Sequence, residues 1–235
     1  MVSRLLYRDG LMLVIDKPAG LPVHRGPKGG ESLEDHFDAL RFGLPRRPAL
    51  AHRLDRETSG CLVLGRHRKA LEQLGKLFKN GKIGKTYWAV VEGTPASEEG
   101  RIDLPLARRD ETRGWWMKVD PAGLPSETTW KVMGRASDKA WLALEPVTGR
   151  THQLRVHCAA MGWPIFGDAI YGNAPRAGGP VLHLQSREIV VPLYKNRDAI
   201  AVTAPVPEHM REMLKMCGWD GVEQPLKVGR LTQQA

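Results

Sequence analysis

The densest run of chemically capable side chains is His52-Arg53-Leu54-Asp55-Arg56-Glu57-Thr58-Ser59-Gly60. It lies between a stretch broken by Pro45 and Pro48 and the apolar run Cys61-Leu62-Val63-Leu64. A loop rooted on a strand is a usual seat for a catalytic group. Asp55 is flanked by Arg53 and Arg56, and nearby cations favour the ionised carboxylate. Such a group suits a nucleophile or a base better than an acid at neutral pH. The same residues also describe a surface aspartate in a salt bridge, and residue types alone favour that plainer reading.

A second polar run, Thr148-Gly149-Arg150-Thr151-His152-Gln153-Leu154-Arg155, leads into an expected helix. A helix N-terminus with Thr and Arg can bind an anion, whether phosphate or the Asp55 carboxylate. Simple capping explains it equally well. His152 and His157 are five apart, which places them about 140° apart around a helix and on opposite faces of a strand, so a shared metal is not expected. No HExxH or cysteine ligand set supports one either. The glycines from Gly10 to Gly30 match neither phosphate-loop nor dinucleotide spacing, and no G-x-S-x-G elbow is present. Any chemistry therefore falls to a carboxylate working without metal or nucleotide cofactor.

Composition narrows the partner. In 235 residues, 35 Lys and Arg outnumber 26 Asp and Glu, a net charge of +9. Residues 41–88 hold twelve of the cations and three acids, so the surplus is regional. A regional basic surplus favours a polyanion, nucleic acid first, although a solvated helix face also carries such charge. Cys61, Cys158 and Cys217 are far apart and form no CxxC pair, which fits a reduced, cytoplasmic setting. No apolar run is long enough for a signal or membrane segment, so no membrane partner is expected.

Pattern supplies the elements. Leu11 to Ile15 reads as a buried strand and Cys61 to Gly65 as another. Lys85 to Gly93 alternates, with Tyr87, Ala89 and Val91 on one face and Thr86, Trp88 and Val90 on the other. Further strands are expected at 128–133, 141–144, 188–191 and 200–203. Ser32 and Asp35 suggest a capping box before Leu33, Phe37 and Leu40. A helix with Leu71, Leu74, Leu77 and Phe78 stops at Asn80-Gly81. A third carries Leu154, Cys158 and Met161, and a fourth begins at Pro207 with Met210, Met213, Leu214 and Cys217 inside. Residues 1–218 are expected to form one α and β unit, and 219–235 a polar, frayed tail. Around residues 101–130, Arg108, Arg109, Arg113, Trp115 and Trp116 suit either RNA contact or a hairpin packed on the sheet.

The motif set resembles the RluA-type pseudouridine synthases. Five segments occur in that family's order: Asp16-Lys17-Pro18-x-Gly20-Leu21-x-Val23-His24, His52-Arg53-Leu54-Asp55-x-x-Thr58-Ser59-Gly60, Lys85-x-Tyr87-x-Ala89-x-Val91-x-Gly93, Thr148 to His157, and Gly162-x-Pro164-Ile165-x-Gly167-Asp168-x-x-Tyr171-Gly172. The segments run from Asp16 to Gly172, and the resemblance covers residues 11 to about 205.

The resemblance implies an α+β fold with a mixed, mostly antiparallel central sheet flanked by helices. It also implies cofactor-free isomerisation of a uridine in an RNA stem-loop, from transfer RNA or 23S ribosomal RNA, to pseudouridine. In that reading Asp55 is the catalytic aspartate, acting as nucleophile or as base on the ribose. Tyr87 stacks on the target base and assists the proton step, and Arg150 pairs with the aspartate. Arg53 fills the stack vacated by the flipped uridine and Leu154 lines the base pocket. His52, Lys85, Thr151 and Arg155 are further RNA contacts. Only 15 residues precede the Asp-Lys-Pro motif, so the chain resembles the short members that lack an N-terminal S4 RNA-binding domain. A monomer is expected. The competing hypothesis is a non-catalytic RNA-binding or chaperone module on the same fold, which would need the basic face but not the Asp55, Tyr87 and Arg150 set.

Overall fold

The computed structural model describes residues 1–26, 29–110 and 115–223. In chain order the strands are β1 Leu5–Arg8, β2 Met12–Lys17, β3 Ala49–Leu50, β4 Ser59–Gly65, β5 Gly84–Glu92, β6 Glu99–Asp103, β7 Leu106–Arg108, β8 Met117–Val119, β9 Glu127–Arg135, β10 Lys139–Pro146, β11 Leu184–Val191 and β12 Ile200–Thr203. The α-helices are α1 Arg68–Lys79, α2 Gln153–Ala160 and α3 Glu208–Met216. The class is α+β, and the ladders described below are antiparallel. The chain forms two compact units: Met1–Lys85 with Ser186–Pro205 and the residues from Glu223, and Thr86–Gln185 with Val206–Val222.

In the first unit β2 lies between β1 and β4, and β12 pairs with β11. The apolar run at its centre is buried on both faces, from Met12 to Ile15. That is why it shows no alternation in sequence. Lys17 ends β2 opposite Gly60 of β4. Met12, Val14, Cys61, Val63, Leu74 and Val202 share the core. Helix α1 buries Ala70 and Leu74 on this core, with Leu77 and Phe78 partly buried. Its N-terminus is capped by His67 Nδ1, which accepts from Ala70 N–H (3.3 Å), and it ends at Asn80 with Gly81 at φ +64°. The segment Leu33–Leu40 is a 3₁₀ helix rather than an α-helix; Leu33, Phe37 and Leu40 are nonetheless all buried. The Asp35 carboxylate accepts the Ser32 N–H (2.8 Å), which is one half of the expected capping box.

In the second unit β5, β10, β9 and β6 form an antiparallel ladder. The alternation expected in β5 separates two cores. Tyr87, Ala89 and Val91 pack with Leu142, Leu144, Leu154 and Cys158 on one face. Trp88 and Val90 pack with Trp141, Met210, Leu214 and Trp219 on the other. Trp219, expected at the head of a polar tail, is therefore core, with its ring 6.5 Å from Trp88. Residues 224–235 of that tail lie outside the described residues, as does Arg113. Met161, expected on the buried face of α2, follows the helix end and is exposed. The 101–130 region contains a small hairpin, β7 with β8. Strands β1 and β6 have no counterpart in the sequence expectations.

The β9–β10 ladder slips by one residue, pairing Trp141 with Gly134 and Leu142 with Val132. Met133 is the extra residue of this bulge and points outward. A Cβ on Gly134 would collide with the carbonyl oxygen of Cys217 at the end of α3. Gly134→Ala is predicted to destabilise the protein by about 1–3 kcal/mol, as overpacking does in a close-packed interior. Urea unfolding should show a lower midpoint, while an unchanged midpoint would refute this close approach.

Candidate active site

The loop that carries Asp55 runs from β3 to β4, with a turn closed by Thr58 N–H on the Asp55 carbonyl (3.2 Å). Its conformation is held from outside the loop. The Lys17 ammonium is fully buried and donates to three carbonyls: Pro18 (2.8 Å), Leu21 (2.9 Å) and Arg56 (2.9 Å). The Gly20 N–H also donates to the Arg56 carbonyl (2.9 Å), and Arg56 Nε returns a bond to the Gly20 carbonyl (2.9 Å). Gly20 has φ +85°, which suits glycine best. The Asp-Lys-Pro-x-Gly run thus works as a clamp on Arg56, the residue after Asp55, through its carbonyl and its side chain. Burial lowers the Lys17 pKa to about 8, partly countered by the negative charges of Glu57, Asp55 and Asp16. The ammonium keeps its proton at neutral pH.

Asp55 itself is half-buried, Leu54 beside it is buried, and Arg53 is exposed with no ion pair among the described residues. His52, expected to contact RNA, faces inward. Its Nε2 accepts the Val63 N–H (3.0 Å) and its ring stacks on Phe78 at 4.4 Å. Burial, reinforced by the charge of Lys85, lowers its pKa to about 3. His52 is thus a neutral post between the loop, β4 and α1. Lys85 is half-buried, and burial lowers its pKa.

In the second unit Tyr87 packs on the apolar cluster that contains Leu154. These two expected base contacts therefore belong to one apolar core. The polar run before α2 is organised by the buried Gln153. Its Oε1 accepts from Arg150 N–H (3.0 Å) and Thr148 Oγ1 (2.8 Å), and its Nε2 donates to the Glu127 carbonyl (2.8 Å) and Thr128 Oγ1 (3.0 Å). His157 is spent on Thr128 Oγ1 and the Leu104 carbonyl, both at 3.0 Å, and His152 Nδ1 lies 2.8 Å from Tyr171 Oη. Both are structural histidines. Thr151 is half-buried in the turn ahead of the helix.

The two arginines of this motif occupy environments opposite to those expected. Arg150, expected to pair with the aspartate, is exposed, and its Nε donates to the Pro125 carbonyl (3.2 Å). Arg155, expected on RNA, is buried and forms a bidentate pair with Asp168, both bonds 2.7 Å. The Asp168 side chain is fully buried and also accepts the N–H groups of Ile170 and Tyr171. These bonds and the Arg155 charge lower its pKa against the opposing pull of burial, which is the largest single effect. Spacing could not tell these arginines apart. The helix begins at Gln153, after His152 in the left-handed region at φ +53°, so only Arg155 is carried on the inward helical turn. Lys17 and Asp168 were given no role on sequence grounds. Their signal was a charged residue inside or beside an apolar run within a quoted motif.

Comparison with known proteins follows the same residues. The family model described as RNA pseudouridylate synthase matches residues 11–160. A Zymomonas mobilis protein described as an uncharacterized RNA pseudouridine synthase is 40% identical over 217 residues, covering 91% of this chain and 98% of its own. The ribosomal large subunit pseudouridine synthase C of Haemophilus ducreyi is 34% identical over 90% of this chain and 68% of its own. Among solved structures, human RNA Pseudouridylate Synthase Domain Containing 4 superposes with a TM-score of 0.77 at 26% identity, covering 92% of this chain and 93% of its own.

Two predictions follow from the first unit. Lys17→Met removes the donor shared by three carbonyls and is predicted to cost at least about 2 kcal/mol, since buried acceptors left unpaired cost about 1–3 kcal/mol each. Denaturant unfolding with no loss of stability would refute the clamp. His52 is neutral in the folded state, with its pKa lowered to about 3. Its stabilising share is complete above the unfolded value near pH 6.5 and is lost as pH falls toward 3. Between pH 7 and 5 the loss from this group is up to about 2 kcal/mol. His52→Gln should flatten the acid limb of stability against pH by that amount, whereas parallel limbs for the two proteins would contradict the buried neutral ring.

Proposed function

The chain belongs to the RNA pseudouridylate synthase family, and from that premise we propose that it isomerises a uridine in a structured RNA through the Asp55 carboxylate. The class of reaction is that of the family: the N1–C1′ glycosidic bond breaks, a C5–C1′ bond forms, and the C5 proton is moved to complete pseudouridine. Product and substrate are isomers, so no electrons are gained or lost. Asp55 acts on the ribose, as nucleophile or as base. Tyr87 offers a ring face to the base and serves the proton step, and it packs on the apolar cluster that contains Leu154.

The observation that carries this reading is the restraint on residue 55. A half-exposed carboxylate stands on a loop whose next residue, Arg56, has its carbonyl held by a buried ammonium and by Gly20. Preorganised charge is what a carboxylate mechanism needs, because no reorganisation is left to the moment of reaction. Arg53, two residues before Asp55, is exposed and has no ion pair among the described residues. It is free to enter a helical stack when the uridine leaves it, a step that costs a few kcal/mol. Of the two arginines in the second motif, Arg155 is the one held away from water, and we assign it, rather than Arg150, the part of the buried cation that supports this chemistry.

Substrate choice is part of the proposal. Relatives named as ribosomal large subunit pseudouridine synthase C make large-subunit ribosomal RNA the first substrate to test, and transfer RNA the second. Exposed cations in the first unit, among them Lys69, Lys76, Lys79 and Lys82, lack ion pairs among the described residues and suit a phosphate-bearing partner. A cytoplasmic, monomeric enzyme acting on RNA without cofactor is the complete reading. The non-catalytic RNA-binding alternative predicts binding without product.

Asp55→Asn is predicted to bind a stem-loop transcript with wild-type salt dependence and to form no pseudouridine. Product from the purified Asn variant would refute the assignment. Arg53→Ala is predicted to lower turnover about 10-fold or more with an unchanged melting temperature, in line with the few kcal/mol at stake in flipping. Wild-type turnover on a base-paired substrate would contradict its role.

A further inference from the structure

We propose that the β7–β8 hairpin is a nucleobase-stacking site for unpaired RNA, with Trp115 as the platform and Arg109 and Arg176 as phosphate contacts. The inference rests on the reading of the chain as an RNA enzyme and adds the surface that grips nucleotides other than the isomerised one.

The hairpin is built to hold a ring still. At its base Leu106 is fully buried and exchanges two hydrogen bonds with Leu124 (2.9 and 2.8 Å). Past the last β7–β8 pair, the Arg109 N–H donates to the Trp116 carbonyl (2.7 Å) and extends the ladder. On the other side the Met117 N–H donates to Tyr171 Oη (2.9 Å), the same oxygen that meets His152 Nδ1. Trp116 is buried, and Trp115 stands on it edge to face at 5.5 Å. Trp115 also meets the His152 ring at 5.7 Å and 77°. Despite these two contacts, 54% of Trp115 remains exposed.

A singly exposed apolar side chain is ordinary on a protein surface and carries nothing alone. Here it is joined by charge. The Arg176 guanidinium lies 5.2 Å above the Trp116 ring and that of Arg109 lies 5.7 Å above it. Neither forms an ion pair among the described residues. A half-exposed indole close to two guanidinium groups that form no ion pair among the described residues matches one chemistry closely: a planar base to stack and a phosphate to pair. An acidic peptide would use the cations but leave the indole face idle. The anchoring through Tyr171 and His152 joins the platform to the start of α2, the segment that carries Leu154 and Arg155.

The test compares two fluorescein-labelled probes of equal length and charge, an oligouridylate and an abasic ribose-phosphate oligomer, by fluorescence anisotropy with the full chain. Wild type is expected to prefer the oligouridylate by about 5-fold or more, the range of base–aromatic stacking. Trp115→Ala is expected to lose that preference and Trp115→Phe to keep most of it, with melting temperatures close to wild type. Arg109→Ala and Arg176→Ala should weaken both probes alike and lower the salt dependence. Retention of the preference in Trp115→Ala overturns the proposal, as does its absence in wild type or equal weakening of both probes by Trp115→Ala. Pseudouridine formation is scored separately. A protein that stacks bases but isomerises nothing would sink the enzymatic reading, and one that isomerises without base preference would sink only this inference.

Discussion

A single buried ammonium holds the fold and the chemistry in register. Lys17 closes an apolar strand whose preceding core residues are all hydrophobic, and its charge is taken wholly out of water. Such a burial is costly unless every proton is matched. Three carbonyls match it, and one of them belongs to Arg56, 39 residues away. The nearby carboxylates of Glu57, Asp55 and Asp16 further favour the charged form. The dependence runs both ways: the loop keeps the ammonium charged, and the ammonium keeps the loop in one conformation. Rigid presentation of Asp55 is thus a consequence of a solvation requirement in the strand beside it.

The second unit meets the same problem with a different device. A bidentate Arg155–Asp168 pair is buried at the first turn of α2, and the remaining Asp168 oxygen capacity is filled by two backbone N–H groups. Gln153, the first residue of α2, distributes four hydrogen bonds over the run from Thr148 to Arg150 and the start of β9. Between them these two networks fix the N-terminus of α2 and so the position of Leu154 on the cluster that carries Tyr87. Polar networks this deep stabilise only when each member is satisfied, which accounts for the density of motif residues with no evident chemistry of their own.

Elements were legible where one pattern decided them. The run from Leu11 marked β2, the alternation in 85–93 sorted β5 onto two cores, and the 200–203 expectation coincides with β12. Leu33, Phe37 and Leu40 are buried as expected but on a 3₁₀ helix, because burial pattern does not fix the hydrogen-bond step. Strands β1 and β6 were missed because Leu5–Arg8 and Glu99–Asp103 are short and edge-like, with mixed exposure. At the site, the family motif pointed to Asp55, Tyr87 and Leu154; the structure places Asp55 half-buried in a turn and packs Tyr87 on the cluster that contains Leu154. The contrast between Arg150 and Arg155 was not legible, since it depends on where the first helical turn begins and on a partner 13 residues further on. His52 was misread for a related reason: its polar neighbours in sequence conceal that its ring stacks on Phe78.

Family membership, a clamped loop and a basic first unit are what support the proposal of uridine isomerisation at Asp55. The most direct test is a transcriptome-wide pseudouridine map of cells with the gene deleted, restored with the wild-type chain, and restored with Asp55→Asn at equal protein level. The account predicts that at least one ribosomal or transfer RNA uridine loses modification on deletion, regains it with wild type and stays unmodified with the Asn variant. Identical maps in all three strains, or recovery with the Asn variant, would contradict it.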